Sequence, residues 1–106
     1  MKQSAVIAVL TLTFALANVC ADDLVDKGKA LVETKKCSIC HAIDGKGGKI
    51  GKPMNGITEG KTDELLKGAL LDPKKTIKSD TKMPAYKLTD DEVAAIISYI
   101  RSLKKS

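Results

Sequence analysis

Apolar positions divide the chain into stretches of different character. From Ala5 to Ala17 there is no charge, and Val6, Ile7, Val9, Leu10, Leu12, Phe14 and Leu16 make a continuous apolar run. Leu24, Val25, Gly28, Leu31 and Val32 then recur at the spacing of one helical face. They predict a helix capped by Asp22 or Asp23 and running to about Lys36. Gly28 in its middle costs about 1 kcal/mol relative to alanine, tolerable where another helix must come very close. Residues 44–61 mix glycine and lysine around Pro53 and read as loop. Thr62 opens a short helix, with Asp63 and Glu64 where the helix dipole favours anions. Leu65, Leu66, Ala69 and Leu70 form its apolar face. Asp72-Pro73 ends it, because the residue before proline avoids helical angles. Residues 74–88 are expected to be irregular. Thr89-Asp90-Asp91-Glu92 is a capping box. It opens a last helix with Val93, Ile96, Ile97, Ile100 and Leu103 as its buried stripe and Tyr99 beside them. No stretch alternates convincingly with period two, so the expected fold is all-α, three or more helices around a loop.

The first segment is an address. Lys2 supplies a positive start, the uncharged run is about 13 residues, and Val19 and Ala21 bracket Cys20. That order describes a secretory signal peptide; a membrane span needs about 20 residues. Cleavage is expected after Ala21, leaving one domain over residues 22–106, without a membrane span. Loss of Lys2 lowers the formal charge from +5 to +4. Acylation of Cys20 is the alternative, although Val19 is bulkier than the residue such sites usually carry. The mature protein is expected in the periplasm, where disulfides are permitted.

Composition narrows the chemistry. There is no Trp, one Phe, two Tyr and a single His among 106 residues. A core with so few aromatics is marginal unless something else fills it. One imidazole excludes any site needing two from this chain. A phosphate-cradling reading of the glycine-lysine loop lacks the P-loop order and a preceding strand. Nucleic acid is excluded as a partner by the export signal and by the near absence of stacking aromatics.

Cys37-Ser38-Ile39-Cys40-His41 is the C-x-x-C-H pattern of c-type haem attachment. Two thiols one turn apart can add to two vinyl groups on one porphyrin edge, and the next residue puts an imidazole beneath the iron. A zinc site would want four ligands, and a thioredoxin-like site a βαβ context. A local disulfide would leave His41 unexplained. As the single histidine, His41 is the proximal ligand. The sixth position is open to Met54, Met83 or a lysine. Met54 lies 13 residues past His41 and follows Pro53, a tether that favours the proximal side. Met83, in an irregular stretch, can reach the far face, and Met/His ligation is a cytochrome c option. An ordinary gap-filling role is the bland reading of Met83.

The chain resembles the class I cytochromes c, small monohaem bacterial electron carriers. The resemblance rests on Gly28, Cys37-x-x-Cys40-His41, Gly51-x-Pro53-Met54-x-Gly56, Met83-Pro84-x-Tyr86 and Tyr99, and covers residues 22–106. It implies the cytochrome c fold around one covalent haem c. Cys37 and Cys40 would hold the haem, with His41 and Met83 as axial ligands. The Pro53 carbonyl would accept the free ring N–H of His41, which orients the ring. Gly28 and Tyr99 would meet where the terminal helices cross, and Met54, Ile57 and Tyr86 would be haem contacts. Further apolar candidates for lining the pocket are Ile39, Ile50, Leu65, Leu66, Leu70, Ile77, Leu88 and Ile97.

The expected function is single-electron transfer by a periplasmic carrier that is not itself an enzyme. The alternatives are the haem subunit of a larger periplasmic oxidoreductase and a ligand-binding haem whose methionine leaves easily. Lys35, Lys36, Lys46, Lys49 and Lys52 precede the proposed distal segment, and Lys74, Lys75, Lys78 and Lys82 lie within or just before it. Such charge is often only a solvated face. The functional expectation is steering of a monomer toward acidic redox partners.

Overall fold

The computed structural model describes residues 20–105, so the expected export segment lies outside the described residues except for its last two positions. Helix α1 spans Cys20–Thr34, α2 Asp63–Leu71, the single turn α3 Pro73–Thr76, and α4 Asp90–Ser102. A 3-10 turn, Cys37–Ile39, follows α1. Among the described residues there is no strand, only an isolated bridge between Ile43 and Lys46. The all-α expectation holds.

α2 and α4 start as their residues dictate, whereas α1 begins at Cys20, ahead of the expected Asp22 or Asp23 cap. Thr62 Oγ1 accepts the Leu65 N–H at 3.2 Å at the head of α2. The Thr89 capping box is complete: its hydroxyl accepts the Glu92 N–H at 3.2 Å, and its own N–H donates to Glu92 Oε1 at 2.9 Å. This bond holds the exposed Glu92 carboxyl below its ordinary value of 4.5. α1 stops two residues before the expected Lys36, which adopts left-handed angles (φ 59°). Asp72-Pro73 does end α2. Proline also suits the first position of a helix, so α3 starts there, where irregular chain was expected.

α1 and α4 cross in close contact at Gly28. A Cβ there would overlap the Ala95 carbonyl and lie 2.7 Å from Tyr99 Cβ. Val32, Val93, Ala95, Ile96, Ile97 and Ile100 are buried at or near this crossing, joined by Leu70 from α2. Arg101 ties α4 to the start of α2 through Asp63 Oδ1 at 2.6 Å and the Lys61 carbonyl at 2.9 Å. Being exposed, that ion pair contributes at most about 1 kcal/mol. The helices thus make a frame, and the long loop from Cys40 to Thr62 is laid against it.

Candidate functional site

The turn after α1 gathers the chemistry. Lys36 swings the chain into the 3-10 turn, and the Cys37 carbonyl accepts from the N–H of both Cys40 (3.2 Å) and His41 (3.0 Å). Two thiols and an imidazole therefore project from one short coil. Cys37 is buried, Cys40 is half-buried, and both are free thiols. Burial pushes the Cys37 thiol above its ordinary value of 9.0. Interaction with the Tyr86 hydroxyl acts against this, and Cys40 adds to it.

The loop is stitched onto this turn by main-chain bonds. Gly48 N–H donates to Ser38 O, Gly51 N–H to Cys40 O and Met54 N–H to Ala42 O, each at 2.8 Å. That register aims the Lys52 carbonyl at His41, whose Nδ1–H it accepts at 2.6 Å. The acceptor is thus Lys52, one residue earlier than the expected Pro53, which is exposed. A proton held on Nδ1 leaves the Nε2 lone pair free to bind a metal. Gly51 lies against the same ring: a Cβ would stand 2.5 Å from Cε1 and 2.7 Å from Nδ1. Only a residue without a side chain allows that approach without displacing the imidazole.

Met83 arrives from the segment between α3 and α4. It is half-buried and packs, with Ile57 and Leu88, against the cluster that contains Cys37, Met54 and Leu70. It also borders a cavity of about 600 Å³ between Asp72, Pro73, Lys74 and residues 81–85. Met54 is only 5% exposed, inside the cluster. Tyr86 is half-buried beside Cys37. Burial raises its phenol above the ordinary 10.0, as do the nearby Cys37 and Cys40. Of the aliphatic residues expected to line a cofactor, Leu70 and Ile97 are in the core. Ile39, Ile50, Leu65 and Ile77 are 63, 74, 45 and 50% exposed.

These residues fit a c-type haem. Two free thiols stand on one turn, a histidine has its Nδ1 occupied and its Nε2 free, and a thioether lies in a stretch without helix or strand. Large aliphatic side chains remain uncovered, each gaining about 1.5–3 kcal/mol on full burial. Among the described residues no group of three or more His, Cys, Asp and Glu could hold a bare metal ion.

Comparison with known proteins agrees with this chemistry. The model of the family described as cytochrome c matches residues 25–104. The chain belongs to the cytochrome c family. The chain is 30% identical over 92 residues to cytochrome c oxidase subunit 2 of Alkalihalophilus pseudofirmus, covering 78% of this chain and 27% of that protein. It is 35% identical over 85 residues to the cbb3-type cytochrome c oxidase subunit CcoP of Helicobacter pylori, covering 76% of this chain and 28% of that one. The chain thus spans little more than a quarter of either relative. No helix among the described residues is long and apolar enough to cross a membrane.

Two functional positions escape a reading of side chains. Lys52 acts through its carbonyl, which every residue possesses. Asn55 accepts the Asp44 N–H at 2.8 Å and donates to Asp44 Oδ1 and the Lys104 carbonyl, both at 2.7 Å. Asn-Gly at 55–56 signals a turn, but nothing in the sequence signals a partner 49 residues away.

Proposed function

We propose that the mature chain, residues 22–106, carries one haem c joined through Cys37 and Cys40, with His41 and Met83 as axial ligands, and works in the periplasm as a diffusible carrier of single electrons. The observation that carries the reading is the His41–Lys52 hydrogen bond beside two free thiols on one turn. When bound, the haem supplies a one-electron ferrous/ferric couple. The protein's part is positional. Lys52 and Gly51 hold the His41 ring in one orientation, and Met83 supplies a sulfur ligand that raises the potential. The buried cluster around Cys37 and Met54 keeps water from the site. With both axial positions filled, no place remains for a substrate, which supports a carrier over an oxygen- or peroxide-using enzyme. The exposed lysines at 36, 46, 49, 52, 74, 75, 78 and 82 suit an acidic redox partner.

A second reading, the haem subunit of an oxidoreductase complex, is favoured by the names of the relatives, which are oxidase subunits. A pyridine haemochrome spectrum with intact mass on the exported protein tests the attachment. One haem c on a chain of residues 22–106 is expected; a colourless product with only the mass of its amino acids overturns the proposal. Elution as a lone monomer favours the carrier, and a stable copurifying partner the subunit.

A further inference from the structure

After residue 18 the chain has a single carboxamide side chain, Asn55, and a glycine follows it. The Asn55 amide is fully engaged. Its Oδ1 accepts the Asp44 N–H at 2.8 Å, and its two Nδ2 protons go to Asp44 Oδ1 and the Lys104 carbonyl, both at 2.7 Å. The C-terminal tail also covers the next residue. A Cβ on Gly56 would stand 3.3 Å from Lys105 Cγ, and Lys105 Nζ pairs with Glu59 Oε2 at 3.2 Å. Gly56 itself takes left-handed angles (φ 83°). Its N–H donates to no backbone carbonyl among the described residues.

We propose that Asn55–Gly56 is a self-modification site gated by the C-terminal tail: Asn55 loses its amide when the tail lifts, and the product no longer holds the tail. The Gly56 nitrogen attacks Asn55 Cγ. The N–Cγ bond forms, the Cγ–Nδ2 bond breaks, and ammonia leaves with the proton of the Gly56 N–H. Water then opens the cyclic imide at either carbonyl, which leaves a free carboxylate and an ordinary or rerouted main chain. Glycine has no Cβ to hinder the attack. Because the attacking nitrogen is unoccupied, the restraint falls on the amide, pinned by Asp44 and Lys104. The tail is the weaker side of that hold. Chain ends fray, and the Lys105 and Glu59 side chains are 70 and 60% exposed, where an ion pair adds little. A carboxylate at position 55 can still accept the Asp44 N–H. It has no proton to give Asp44 Oδ1 or the Lys104 carbonyl, and it sets a second negative charge against Asp44.

The test incubates the exported, matured protein in warm, mildly alkaline buffer and follows its intact mass, with a digest locating the change. Each conversion exchanges NH2 for OH, a gain of about one mass unit. Wild type is compared with Lys105→Ala, which removes the cover over Gly56, and with Asp44→Gly. Asp44 has φ 52°, so glycine keeps its backbone while removing the Oδ1 acceptor. The wild-type chain in urea is the unfolded reference. Conversion at Asn55 is expected to be slowest in folded wild type. Lys105→Ala is expected to react up to about fivefold faster, and Asp44→Gly about two- to tenfold faster. The wild-type rate in Lys105→Ala overturns the gate, and the wild-type rate in Asp44→Gly overturns the pinning of the amide. No gain at Asn55 in any folded chain, over the time in which the unfolded reference converts, overturns the site. Converted wild type, separated by its added negative charge, is expected to melt at a lower temperature than unconverted protein. An equal midpoint overturns the loss of the tail contact.

Discussion

Gly28 and Ala95 meet backbone to backbone: a Cβ on Gly28 would overlap the Ala95 carbonyl oxygen and stand 2.6 Å from its carbon. Two opposing effects act on Gly28→Ala. Alanine is the better helix former by about 1 kcal/mol, and overpacking costs about 1–3 kcal/mol. The obstacle is main chain, which cannot swing aside as a side chain would, so overpacking prevails. We expect a lower thermal midpoint in the matured protein, with less haem-loaded protein recovered. A midpoint equal to or above that of wild type would show that the helices can separate without loss.

Gly51→Ala is expected to act on the imidazole rather than on the fold. The added methyl must displace the His41 ring or the Lys52 carbonyl it is bonded to. A weaker Nδ1 hydrogen bond makes the ligand less basic, so the reduction potential rises. Electrochemistry on the purified variant reads this directly; an unchanged potential contradicts the assigned role of the 51–52 backbone.

The two methionines give an internal comparison. Met83→Ala should abolish the methionine–iron absorption band of the ferric protein and lower the potential. Met54→Leu should leave the band in place, because Met54 is a buried packing residue. The opposite pattern reverses the ligand assignment.

At the head of α4, Thr89→Ala removes one partner of the capping box and is expected to cost about 1 kcal/mol of stability. The Glu92 carboxyl is held below its ordinary value by the Thr89 N–H. A depressed carboxyl pKa stabilises the fold fully above the unfolded value, and that contribution is lost as pH falls through the folded one. Glu92→Gln should therefore lower stability near neutrality, where that contribution is present, and flatten the acid limb, so that the two curves converge at low pH. Urea titrations from pH 3 to 7 measure this, and parallel curves would refute it.

If the lysines steer an acidic partner, electron-exchange rates should fall steeply as salt rises, since the screening length shrinks from about 30 Å at 0.01 M to about 3 Å at 1 M. Stopped-flow rates across that range decide it. A flat dependence leaves the lysines as a solvated face only.

Side-chain chemistry makes the Cys37–His41 turn and α4 readable in the sequence. Cys37, Cys40 and His41 announce themselves by type and spacing, and Thr89 with Glu92 by a reciprocal hydrogen-bond pattern. The end of α1 was harder, because Lys36 takes the left-handed turn usually marked by glycine. Proline at 73 carries two messages, a stop for α2 and a start for α3, and only the first was apparent. The His41 acceptor shifted from Pro53 to Lys52 because main-chain register, set by Gly51 and Met54, has no signature in side chains. Among the apolar residues, periodicity separated core from surface on α4. It could not do so in the 3-10 turn and the loop, where Ile39 and Ile50 remain exposed.

Asn55 has a consequence for timing. It fastens Asp44 on one side and the Lys104 carbonyl on the other, so the strap that carries Gly51 and Lys52 gains its last tie only once residue 104 has docked. Up to that moment the main-chain bonds to Ser38, Cys40 and Ala42 alone hold it against the turn.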